Sequence, residues 1–121
     1  MSLANLKPQT VLSLRVVETV SETFGFGVAL TSVADGHPLG RGSYHPWGLA
    51  VDWQLFKWQV AEADGPVLSV PKYFKPHDLN QAQRALYLKA LFQALPIEFE
   101  VIEEAARAHW HGEVEIKRRY V

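Results

Sequence analysis

The stretch GLAVDWQLF, Gly48 to Phe56, alternates. Leu49, Val51, Trp53 and Leu55 fall on one side, and Ala50, Asp52 and Gln54 on the other. A period of two describes a β-strand with one packed face. Asp52 therefore points away from the main core, toward a cleft or solvent. The stretch HWHGEVEI, His109 to Ile116, has the same period. Trp110, Val114 and Ile116 face one way, while His109, His111, Glu113 and Glu115 face the other. Two strands thus each carry ligand-type groups on a polar face.

Working outward, Pro8 to Phe24 reads as a helix. Proline suits its first turn, Leu12, Val16, Val20 and Phe24 recur every four residues, and Gly25 suits its stop. Gly27 to Val33 (GVALTSV) is short and rich in strand formers. Asp35 to Gly42 (DGHPLGRG) is a loop on composition. Residues 57 to 77 contain Gly65, Pro66, Pro71 and Pro76 and read as an irregular excursion. Asp78 then opens a second helix, with Gln81 as capping-box partner. Tyr87, Leu88, Leu91, Phe92 and Leu95 form its apolar face, and Pro96 follows its end. Glu98 to Glu103 (EFEVIE) is a further strand. The order helix, strand, strand, helix, strand, strand implies a compact α+β domain, residues 1–121, with a small antiparallel sheet and two main helices.

The chain has 121 residues, enough for one domain with a real core. Its net charge of -1 gives no general attraction to nucleic acid or to an acidic membrane, so neither is an expected partner. The basic Lys117, Arg118 and Arg119 read as a solvated terminus. There is no cysteine, so a metal would have to be held by His, Asp or Glu. No apolar run reaches membrane-spanning length and no signal peptide opens the chain. The expectation is cytoplasmic synthesis, with release to the cell wall left open.

His45 lies just before the Asp52 strand. If the two alternating strands are neighbours, His45, Asp52 and one of His109 and His111 can converge. Two imidazoles and one carboxylate are a normal protein ligand set for catalytic zinc, Zn2+. The same residues also describe a solvated strand face and a strand-end cap, and spacing alone leaves both readings open.

The run Ser43-x-His45-x-x-Gly48-x-Ala50-Val51-Asp52 resembles the signature S-x-H-x-x-G-x-A-x-D of M15-type zinc D-Ala-D-Ala carboxypeptidases and related cell-wall peptidases, L,D-endopeptidases included. Every fixed position is present. Asp35-Gly36-His37 and His109-Trp110-His111 are similar to parts of the zinc fold shared with hedgehog domains and phage-encoded peptidases. The resemblance runs from about Val28 to Ile116. It implies zinc held by His45, Asp52 and His111, with Ser43 orienting the His45 loop and His37 lining the cleft. It also implies a peptidoglycan stem peptide as substrate. The small size and the absence of a signal suggest a phage or prophage source. Gly48 and Ala50 would give the backbone room near the site, or simply pack the strand.

One position departs from the family. The acid that serves as general base three residues before the last ligand is Ala108 here. A hedgehog-like arrangement takes the base from further upstream, which points to Glu103 or Glu104, with Glu104 preferred. His109 would then stabilise the oxyanion. Two rivals remain: a zinc-binding module of the same fold without hydrolysis, and a metal-free α+β domain with surface histidines.

Overall fold

A computed structural model describes residues 5–32, 47–62, 65, 67–104 and 109–114. Ser43, His45 and His37, the Asp35 to Gly42 loop, Ala108 and the basic tail lie outside these residues. The elements run α1 (Pro8–Thr23), β1 (Gly27–Ser32), β2 (Ala50–Glu62), β3 (Val67–Phe74), α2 (Gln81–Ala94), β4 (Phe99–Glu104) and β5 (His109–Val114). The class is α+β: two helices and one five-stranded sheet, all of whose pairings are antiparallel.

The long strand β2 organises the sheet. One of its edges takes β1, from Gly27 opposite Phe56 to Ser32 opposite Asp52. Its other edge is shared end to end. β5 pairs with Ala50 to Trp53, and β3 pairs with Leu55 to Glu62. β4 lies outside β5.

The alternation in GLAVDWQLF becomes a core. Val51, Trp53 and Leu55 are fully buried, as is Trp110 directly across from Trp53. Leu14, Val17 and Val20 of α1 and Tyr87 and Leu91 of α2 pack on the same side. Both helices therefore cover one face of the sheet, in the two-layer arrangement that buries an apolar stripe against an apolar face. The Tyr87 hydroxyl links three elements, 2.8 Å from Ser21 Oγ and accepting from Trp53 Nε1 at 3.2 Å. Burial pushes its pKa up to about 12 against these two hydrogen bonds, so the buried phenol stays neutral.

Several local readings change. Residues 57 to 77 are not an irregular excursion. β2 runs on to Glu62 and folds back as β3, so the chain has one strand more than its sequence suggested. Pro71 is tolerated because β3 pairs only with β2 among the described residues, and an edge strand can lack a donor. The second helix starts later than Asp78. Asn80 is its N-cap, accepting from Gln83 N at 2.8 Å, and Gln83 Oε1 accepts from Asn80 N in return. Asp78 instead closes a short 3-10 turn, Pro76–Asp78, by accepting from Lys75 N. Phe92 is exposed on α2, whereas Tyr87, Leu91 and Leu95 are buried.

Gly48 has a reason other than site access. Its φ is +71°, and an added Cβ would collide with the Asn5 carbonyl oxygen. Its own carbonyl accepts from Lys7 N and Thr10 Oγ1, docking the start of α1 against the start of β2. Ala50 is fully buried in the strand.

Candidate metal and proton-transfer site

The helices leave the other face of the sheet to the polar half of each alternating strand. Asp52 and His111 are direct partners in the β2–β5 register. Residues directly opposite in an antiparallel pair share a face, with Cβ atoms about 5 Å apart. The fold therefore brings together two side chains 59 positions apart in the chain.

Asp52 Oδ1 lies 2.7 Å from His111 Nδ1, and Asp52 Oδ2 lies 3.3 Å from His109 Nε2. His111 Nε2 lies 3.1 Å from Glu113 Oε2. The result is a line of alternating imidazoles and carboxylates: His109, Asp52, His111, Glu113. Asp52 is 4% and His111 8% exposed, so this line is enclosed rather than solvated. Gly112 keeps the core side of β5 in place. A Cβ there would sit 2.5 Å from the Phe99 ring, so glycine lets Phe99 and Trp53 pack over the strand that presents the two histidines.

Charge follows geometry. Burial by itself disfavours the His111 imidazolium, but its hydrogen bonds to Asp52 and Glu113 and their negative charges outweigh it. Its pKa is raised from 6.5 to about 9. The metal-free ring is therefore cationic at neutral pH, held between two carboxylates. A histidine whose folded pKa exceeds its unfolded value stabilises the fold fully below the unfolded pKa, and that stabilisation is lost as pH rises through the folded one. The metal-free chain is expected to lose up to a few kcal/mol between about pH 6.5 and 9, from an upward shift of this size. Denaturant midpoints in the presence of a chelator, measured across that range, check this. Unchanged midpoints would reject the buried imidazolium.

The two candidate base residues separate. Glu103 is the register partner of Trp110, on the helix side of the sheet, where Arg84 Nε approaches its carboxylate at 3.4 Å. Glu104 is the register partner of His109. His77 is exposed beside Asp78, and Trp58 and Trp47 are exposed while Trp53 is core. Glu113 was read as one of several polar-face residues. Its contact with His111 follows from the i, i+2 spacing on a strand, which was legible but unspecific.

Among the described residues, no three His, Asp or Glu side chains are disposed to hold one metal ion. The donors that do meet suit zinc in type. Imidazole nitrogen and carboxylate oxygen are its usual neighbours, and tetrahedral bonds of about 2 Å place adjacent donors about 3.3 Å apart. The Asp52–His111 contact of 2.7 Å is shorter than that, a hydrogen bond between the two donors. Asp52 and His111 fit a zinc set in donor type, and its expected third member, His45, lies outside the described residues. An apolar cavity of about 360 Å³ lies elsewhere, lined by Leu12, Pro96, Phe99 and Val114 among others.

No known protein family, characterised protein or solved structure matches this chain.

Proposed function

We propose that the chain is a zinc-dependent hydrolase of amide bonds in peptidoglycan stem peptides, built on the hedgehog-like fold of the D-Ala-D-Ala carboxypeptidase family. The observation that carries this reading is the enclosed contact of Asp52 with His111 and His109. It lies at the end of a stretch that matches S-x-H-x-x-G-x-A-x-D at every fixed position. His45, Asp52 and His111 would hold the zinc, with Ser43 supporting the His45 loop and His37 at the cleft. When bound, zinc lowers the pKa of water and polarises a carbonyl. Glu104, beside His109 in the register, accepts a proton from the attacking water and delivers it to the leaving amine. His109, oriented by Asp52 Oδ2, donates to the oxygen on which charge develops.

A second reading is a zinc-binding module without hydrolysis. Two observations favour it: alanine stands at position 108, where the family has its acid, and Glu103 is engaged by Arg84 on the opposite face. The test is metal content after zinc exposure and removal of excess, followed by incubation with purified peptidoglycan. About one zinc per chain and chelator-sensitive release of peptide fragments support the hydrolase. Zinc without release leaves the binding module, and no zinc removes both.

A further inference from the structure

We propose that a second copy of this chain covers the exposed apolar face of the β2–β3 hairpin, the two hairpins packing face to face about a two-fold axis. This contact involves no metal and stands or falls apart from the zinc reading.

β1 pairs with β2 only as far as Phe56, and β5 only over Ala50 to Trp53. Beyond them β2 and β3 run on as a two-stranded ribbon. Such a ribbon is marginal in water without a packed face. Its two faces differ. On the helix side Lys57 and Lys72 stand directly opposite, with Nζ 4.6 Å from the Phe26 ring centroid and 5.3 Å from that of Phe74. Their charged heads keep that side solvated while their stems cover apolar surface. The other face is the one that carries Asp52 further along β2. Its register pairs Phe56–Tyr73, Trp58–Pro71 and Val60–Ser69 include no charged side chain. Trp58 is 64%, Val60 70%, Val67 65% and Tyr73 52% exposed.

This face is braced before anything binds. Gly27 lies across from Phe56, and a Cβ there would collide with the Phe56 ring, so the ring lies down over the glycine. Phe56 in turn meets Trp58 edge to face, with centroids 5.4 Å apart, and Tyr73 at 6.2 Å. Two exposed rings thus lean on a half-buried one, and little side-chain freedom is left to lose on covering them.

The occupant follows from what the face lacks. A sugar needs placed hydrogen-bond partners beside the ring it stacks on, and these pairs offer only Ser69 and the Tyr73 hydroxyl. An acidic membrane would be drawn to the lysines, which are on the other side. A peptide strand added to the β3 edge would meet Pro71, which has no N–H to give. An uncharged apolar face can meet its own copy without like-charge repulsion, as a two-fold contact requires. Covering it removes on the order of 600 Å² per chain, with a whole Trp or Tyr carrying about 150–250 Å². Two copies then bury about 1,200 Å², where specific stable interfaces begin. Trp58 is six residues along β2 from Asp52, about 20 Å, so the contact and the candidate site stay separate.

Sedimentation velocity of the full chain at about 2 to 200 μM, a range bracketing micromolar association, tests this. The mass of wild type should rise from 13.6 kDa toward twice that value. Trp58→Glu places a like charge from each copy in the contact and should weaken association by about 30-fold or more, the scale of an aromatic hot spot. Leu68→Glu, half-exposed on the lysine side of the same hairpin, should associate like wild type. Circular dichroism and thermal midpoints check that both variants fold. The chain has no cysteine, so a short bismaleimide should join copies of Val60→Cys far more readily than copies of Leu68→Cys. A wild type that stays monomeric throughout overturns the proposal, as does a Trp58→Glu variant that associates like wild type. Greater loss in Leu68→Glu than in Trp58→Glu also overturns it. A monomeric wild type that pellets with phosphatidylcholine vesicles or with chitin, and loses this in Trp58→Glu, gives the face to a lipid or a sugar instead of a second copy.

Discussion

Replacing Asp52 with alanine is expected to abolish measurable zinc binding and to destabilise the metal-free chain by about 2–3 kcal/mol. The carboxylate is nearly fully enclosed and serves two imidazoles at once, through Oδ1 to His111 and Oδ2 to His109. Removing one partner of a buried charged pair costs about 3–5 kcal/mol when the other charge is stranded. Here the stranded group can discharge. Without Asp52, burial again favours the neutral His111 ring, and Glu113 still accepts from it, so the cost falls below that range. Asp52→Asn keeps the shape and one acceptor oxygen, and should cost about half as much. If Asp52 is a ligand, as proposed, both variants should fail alike in zinc titration. For a domain of this size the alanine variant's midpoint should drop by roughly 10 °C. An alanine variant with unchanged melting and unchanged zinc uptake would show that Asp52 neither binds zinc nor stabilises the two imidazoles.

That result would also weigh how far a strand's period reports its chemistry. The alternation of Gly48 to Phe56 and of His109 to Val114 carried most of the architecture, because a period of two assigns each side chain to a face regardless of partner. Trp53 and Trp110 in the core, with Asp52 and His111 together on the other face, follow from that assignment once the strands are neighbours. That the two strands are neighbours could be expected from their matching alternation, but the register was not legible. It joins residues 59 positions apart, and no local pattern encodes such a register.

The β2–β3 hairpin escaped for a different reason. Its residues are largely exposed on both faces, among them Trp58, Val60, Leu68 and Tyr73, so burial imposes no alternation on them. Its two prolines and glycine also read as breakers, though Pro71 sits on an edge strand and Gly65 between the two strands. The helix start was displaced by two residues because DLNQAQ contains two capping signals. Asp78 and Asn80 each cap something, and the one nearer the apolar stripe caps the helix. At the site, the sequence could name Asp52, His109 and His111 by residue type. It could not separate Glu103 from Glu104 without the sheet register, which pairs Glu103 with Trp110 and Glu104 with His109.

That register makes the expected result for the base specific. Glu104→Gln should keep fold and zinc while lowering peptide release by about a hundredfold or more, the scale of general-base contributions. Glutamine preserves size and an acceptor oxygen but cannot take up a proton at neutral pH, so the loss would be of chemistry and not of packing. Glu103→Gln is the matched control. It weakens a partly exposed ion pair with Arg84 on the helix side, which is worth less than about 1 kcal/mol, and should leave turnover near wild type. His109→Gln should lie between them, because it removes a donor to the developing oxyanion without removing the proton acceptor. The order Glu104→Gln, then His109→Gln, then Glu103→Gln, from most to least impaired, follows from the proposed roles. If both glutamine variants of the glutamate pair turn over at the wild-type rate, neither acid is the base. If instead wild type binds zinc and releases nothing, Ala108 marks a site that holds a metal without hydrolysing, and Glu104 serves only the strand.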